Sequence, residues 1–205
     1  MRVLKYLFIS LVLALGMSFR ADAVSDKMQE IKYIPEDAVQ VANGYGWTVY
    51  QKVTERTEMY DASILYLEND VTNKRYILLQ TRGDKQNGTE ISIKASNSFA
   101  YGKDEYREKS AATYEYGYIQ AVEQVFILAP DKIMVSGVPD CRNDYHYVID
   151  LTSYTAVHIP AYNSFQNRTS KINGKLYLEF STTDYSSGYR EDILVLYDLE
   201  GNRLQ

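Results

Sequence analysis

Two short stretches carry residue types that could do chemistry. The first is Pro139-Asp140-Cys141-Arg142-Asn143-Asp144-Tyr145, set between the apolar runs 132–138 and 145–151. Burying its charges unpaired would be costly, so Asp140, Arg142, Asn143 and Asp144 are expected to face water or a ligand. Arg142 offers a planar fork for carboxylates or sugar hydroxyls. Cys141 is the one cysteine of the chain, so it has no internal disulfide partner. A nucleophilic thiol needs a neighbour that stabilises the thiolate. Arg142 and His146 are near in sequence, but a small, partly buried residue is the plainer reading of Cys141. The second stretch is Gly44-Tyr45-Gly46-Trp47. Exposed aromatics beside a turn stack on sugar faces or fill a partner's pocket, which makes Tyr45 and Trp47 candidate ligand contacts. A core residue is the plainer reading of Trp47.

Other chemistries lack their signatures. The two histidines, His146 and His158, lie on expected strands. His158 alternates with Ala156 and Pro160 while Val157 and Ile159 face the other way, so it is expected to be solvent-exposed. No metal site and no cofactor are expected. The 84–90 stretch lacks the spaced carboxylates and distant bidentate Glu of an EF-hand. There is no phosphate loop, no GxSxG elbow and no HExxH. A carboxylate pair for glycoside hydrolysis is defined by its separation in space, so a carbohydrate-active hydrolase stays open as the alternative function. Asn87-Gly88-Thr89 and Asn167-Arg168-Thr169 are formal glycosylation sequons. The net charge of −5 and the pI near 5.1 argue against a nucleic-acid partner, whose binding face should be basic.

The elements that must position these residues are strands. Tyrosine occurs 20 times in 205 residues, and it suits pleated surfaces with one wet end. Strand patterns run over 47–53, 63–67, 75–80, 132–138, 145–151, 155–159 and 193–198. A polar loop, 68–74, joins 63–67 to 75–80 as a hairpin. Asn87-Gly88 and Asn173-Gly174 suit type I′ turns, which need φ > 0 at both central positions. The first of these should pair the 75–81 region with 90–94. The alternating run 114–128 is too long for one strand and should break near Gly117. Helix signals are few: Ser25 as a possible cap for 25–34, and a short turn from Pro35 to Asn43-Gly44. The stretch 101–113 reads as a charged loop. At the N-terminus, Arg2 and Lys5, the apolar run 6–17, then Ala21 and Ala23 spell a signal peptide over 1–23 with cleavage before Val24. The apolar run is shorter than the ~20 residues a membrane span takes. The remaining 24–205 is expected to be a single β-rich domain, secreted or periplasmic, with no transmembrane segment.

A turn motif recurs. Asp70-Val71-Thr72-Asn73-Lys74, Asp150-Leu151-Thr152-Ser153-Tyr154 and Asp198-Leu199-Glu200-Gly201-Asn202 each follow an apolar strand. The Asp should accept local backbone N–H bonds and the aliphatic residue should pack back on the sheet. These copies resemble the turns of secreted β-propeller blades, which repeat every ~40–50 residues. The resemblance implies about four units, near 24–80, 81–118, 119–160 and 161–205. The expected fold is all-β, a small propeller-like array of antiparallel hairpins, with a β-sandwich or barrel as the alternative. The expected function is a non-catalytic binding module for a protein or carbohydrate ligand.

Overall fold

The structure is a computed structural model that describes residues 24–56, 61–81, 90–94, 116–118, 121–138, 145–161, 165–184 and 191–204. All regular elements among them are strands, in four antiparallel sheets. The first sheet holds β1 (Glu30–Ile31), β2 (Val39–Gly44), β3 (Trp47–Glu55), β4 (Ala62–Asn69) and β5 (Arg75–Gln80), in the order β1-β5-β4-β3-β2. The second pairs β6 (Glu90–Lys94) with β7 (Tyr116–Tyr118). The third is an up-down meander of β8 (Ala121–Ala129), β9 (Lys132–Val138), β10 (Tyr145–Asp150) and β11 (Thr155–Ile159). The fourth contains β12 (Phe165–Ile172), β13 (Lys175–Asp184) and β14 (Glu191–Asp198). The sheets follow the four expected sequence units in order. The fold is all-β, as expected, and its stacked meanders are compatible with blade-like or sandwich-like packing.

The third sheet lies between the first and the fourth. Ile133, Val135, Tyr145, Tyr147 and Ile149 form one apolar cluster with Trp47, Val49, Leu65 and Leu67 of the first sheet. The alternate residues Met134 and Val148 join Phe165, Leu178 and Phe180 of the fourth. That explains why β9 and β10 read as continuous apolar runs rather than alternating ones: both faces of their sheet are covered. Each fully buried Leu, Ile or Val adds about 2 kcal/mol relative to exposure.

The turn chemistry accounts for several hairpins. Asn173 (φ 50°) and Gly174 (φ 81°) form the expected turn between β12 and β13. Tyr45 (φ 52°) and Gly46 (φ 80°) do the same between β2 and β3. The chain before Trp47 is therefore a strand and a tight turn, and Asn43-Gly44 ends β2 rather than a helical turn. The 25–34 segment is also not helical. Ser25 caps one turn, with its Oγ accepting from the Lys27 N–H at 3.2 Å, and Glu30–Ile31 then pairs with β5. The expected pairing of 75–81 with 90–94 is not formed: β5 lies between β4 and β1, and β6 pairs with β7. The break in 114–128 falls between β7 and β8, which join different sheets.

The repeated Asp turns exist, with one shift of register. Asp150 Oδ1 accepts from the N–H groups of Thr152 and Ser153 at 2.8 and 2.9 Å. Asp198 Oδ1 accepts from Glu200 and Asn202 at 3.0 and 2.7 Å. In the first copy Asn69 takes this role, accepting from Val71 and Thr72 at 3.0 and 2.9 Å. Asp70, the residue expected to cap, instead accepts from Thr48 Oγ1 at 2.8 Å. An amide oxygen serves a backbone N–H as well as a carboxylate does, so Asn69 satisfies the same geometry one residue earlier.

Candidate functional site

The edge strands β2, β8 and β12 of three sheets converge on an open cleft of about 450 Å³. Close approach begins at Gly44, where a Cβ would lie 3.8 Å from the Ile127 Cβ. The floor is aromatic. Half-buried Phe126 meets buried Phe165 edge-on, with ring centroids 4.9 Å apart and planes at 71°. Phe165 is backed by Phe180 at 5.3 Å. Exposed Asn43 and Tyr45 stand on one wall, and exposed Asn167 and Thr169 on the other. Among the described lining side chains, the Tyr45 phenol is the only ionisable group.

Each of the three lining strands is irregular. Register shifts occur between Gln40 and Ala42, between Ile127 and Ala129, and between Phe165 and Thr169. The last contains Asn167 in the left-handed region at φ 53°. Asn tolerates that conformation better than most residues. Bulges of this kind re-aim side chains and recur beside functional sites.

The sequence candidates fall on both sides of this description. Tyr45 is 62% exposed and lines the cleft. Trp47 is 5% exposed and belongs to the core, so of its two readings the structure takes the buried one. Its Nε1 donates to the Pro130 carbonyl at 2.8 Å, which ties the β2–β3 hairpin to the β8–β9 turn. Trp47 thereby positions the Tyr45 wall against the β8 floor. Asp140, Arg142, Asn143 and Asp144, with Cys141, lie outside the described residues.

His158 corrects the expectation of exposure, and both histidines are buried. His146 is 1% exposed and His158 4% exposed. The Tyr145 and Tyr147 rings lie 5.6 and 5.3 Å from the His158 ring. The apolar alternation around His158 suggested a wet face, but Tyr147 on the neighbouring strand covers it. Burial, with a smaller contribution from the charge of His146, pushes the His158 pKa down to about 3. His146 Nδ1 lies 2.7 Å from Ser136 Oγ, a nucleophile–base distance. Ser136 is itself buried and the His146 ring packs on Phe180 at 4.8 Å, so the pair satisfies two buried polar groups with no approach for a substrate.

Among the described residues, the carboxylates with displaced acidity all shift the same way. The hydrogen bond from Lys52, whose Nζ is 3.0 Å away, holds Asp37 below the usual carboxylate range. Burial pushes Asp150 and Asp198 up, but hydrogen bonds from Lys132 and Lys175 and from local donors outweigh it and the net shift is downward. A general acid for glycoside cleavage needs the opposite displacement. Among the described residues, no group of three His, Cys, Asp or Glu side chains is placed to hold a metal ion, and no helix is long and apolar enough to cross a membrane.

The cleft was illegible as a unit because its strands lie far apart in sequence. A signal for its β12 wall does exist. The run Phe165-Gln166-Asn167-Arg168-Thr169 breaks apolar alternation with an Asn able to take positive φ, as a bulged edge strand would. Comparison with protein-family models, curated proteins and solved structures gives no match to this chain.

Proposed function

We propose that the chain is an exported, non-catalytic binding module whose ligand sits in the cleft between β2, β8 and β12. One observation carries the reading: three edge strands from different sheets meet at an open cleft with an aromatic floor and neutral polar walls. Pockets that bind small ligands combine an apolar surface with a few convergent polar groups in this manner. The described residues lining the cleft include no carboxylate, which favours binding over hydrolysis, as does the downward shift of Asp37, Asp150 and Asp198. The export half of the proposal rests on Ala21-Asp22-Ala23 after the apolar run 6–17.

The test has two parts. Intact mass of secreted protein should correspond to a chain starting at Val24; a mass that retains residues 1–23 would overturn export with cleavage. Purified protein screened against glycan and protein libraries should bind through the cleft. The double variant Tyr45→Asn, Asn167→Gly, both tolerant of the positive φ at these positions, should then lose that binding at an unchanged melting temperature. Bond cleavage in the bound glycan, or full binding by the double variant, would overturn the reading.

A further inference from the structure

We infer that the cleft between β2, β8 and β12 binds a neutral carbohydrate, with a sugar ring laid against Phe126 or Tyr45 and its hydroxyls met by Asn43, Asn167 and Thr169. This rests on the reading of the cleft as the ligand seat and adds the chemical class.

Charge narrows the choice first. Phosphates and carboxylates are taken by Arg, Lys or a helix N-terminus, and cations by carboxylates. The described lining residues offer none of these. The polar side chains among the described lining residues are two primary amides, Asn43 and Asn167, and two hydroxyls, Tyr45 and Thr169. Each can both donate and accept hydrogen bonds. A sugar hydroxyl also does both, so the match holds whichever way each bond runs.

The aromatic surface narrows it again. A pyranose presents a face of C–H groups rimmed by hydroxyls. Phe126 is held in orientation by its edge contact with Phe165, and Tyr45 is held by a turn with both central φ values positive. Rings fixed in this way offer amphipathic contact area at small entropic cost.

The strand edges exclude the main competitor. An extended peptide would add to a free sheet edge by regular backbone pairing. All three edges at the cleft carry register shifts, which blunt an edge against strand addition. Side chains rather than backbone are left to read the ligand. A volume of about 450 Å³ lies within the ~300–1,000 Å³ of small-ligand sites.

The experiment uses the purified chain made without glycosylation, with the side-chain amide NMR signals of Asn43 and Asn167 as reporters. The probes are cellohexaose, maltohexaose and chitohexaose as neutral sugars, an oligogalacturonate as an anionic one, and an extended Thr-Val peptide. At least one neutral sugar should move both signals saturably. Phe126→Leu and, separately, Asn167→Gly, which keeps the positive φ without strain, should weaken that binding about tenfold or more with the melting temperature retained. If the oligogalacturonate or the peptide moves the signals and no neutral sugar does, the carbohydrate class is wrong while the cleft stands as a binding site. If no probe moves them, both readings fall.

Discussion

The loops 69–74 and 150–155 share a backbone and differ in what holds it. In each, the first side chain takes the next two free N–H groups, and its carbonyl accepts from the fifth residue, at 2.8 Å in one and 2.9 Å in the other. In each, that fifth residue is left-handed: Asn73 at φ 54° and Tyr154 at φ 51°. Local chemistry suffices for the first loop, since Asn caps and Asn tolerates positive φ. The second loop places a tyrosine where the strain is of order 1–3 kcal/mol. It is compensated from outside. The Tyr154 hydroxyl donates to the Leu78 carbonyl in β5 at 3.0 Å, and Lys132 reaches the capping Asp150 at 2.8 Å. At the position of Lys132, the first sheet has Trp47 paired with Asn69. One loop is thus closed by its own residues and the other by the sheets around it. The strands behind them differ too, because the second loop feeds β11 and the buried His158.

The largest contrast should appear on acidification. His158 stays neutral in the fold, with a pKa near 3, whereas the unfolded chain takes up the proton near 6.5. Its contribution is therefore fully present above about pH 6.5 and is lost as pH falls toward 3, at about 1.4 kcal/mol per unit. Stability measured by denaturant should drop by about 3 kcal/mol between pH 6.5 and pH 4. His158→Phe should flatten that slope. An equal slope in the variant would place the acid sensitivity elsewhere.

Next in size is removal of the caps. Asp150→Ala strips two N–H groups of their acceptor and the partly buried Lys132 of one of its two carboxylate partners, Asp131 remaining at 2.8 Å, at a cost of about 2 kcal/mol. Asn69→Ala loses only the cap, at about 1 kcal/mol. Asp150→Asn converts the second loop to the chemistry of the first and should fall between them. If Asp150→Asn costs as much as Asp150→Ala, the ion pair rather than the cap closes the loop. Equal losses for the two alanine variants would mean that Lys132 adds nothing.

The smallest effect is expected at the tertiary tether. Tyr154→Phe removes one hydrogen bond to Leu78 and should cost about 1 kcal/mol. Asn73→Ala, by contrast, has no such tether to lose, so its cost should come from the positive φ alone and be no larger than that strain. A neutral Tyr154→Phe would show that ring packing, not the hydroxyl, holds Tyr154 in place.

The same division runs through the whole molecule. Strands 63–67, 132–138 and 155–159, the Asn173-Gly174 turn and the caps at Asp150 and Asp198 were legible because period-two patterning and turn chemistry act over a few residues. The all-β class followed from them. At the candidate site the sequence singled out Tyr45 by its turn glycines. Which residues Tyr45 meets was decided by packing: Phe126 and Asn167 reach the same cleft from strands paired with other neighbours. Tertiary packing also put Trp47 under Pro130, buried His158 beside Tyr147, and gave β6 to β7 instead of β5. Local preferences narrow φ, ψ and face, but they do not say which sheet covers a face. That choice depends on apolar area buried between residues far apart in the chain, and no spacing along the sequence records it.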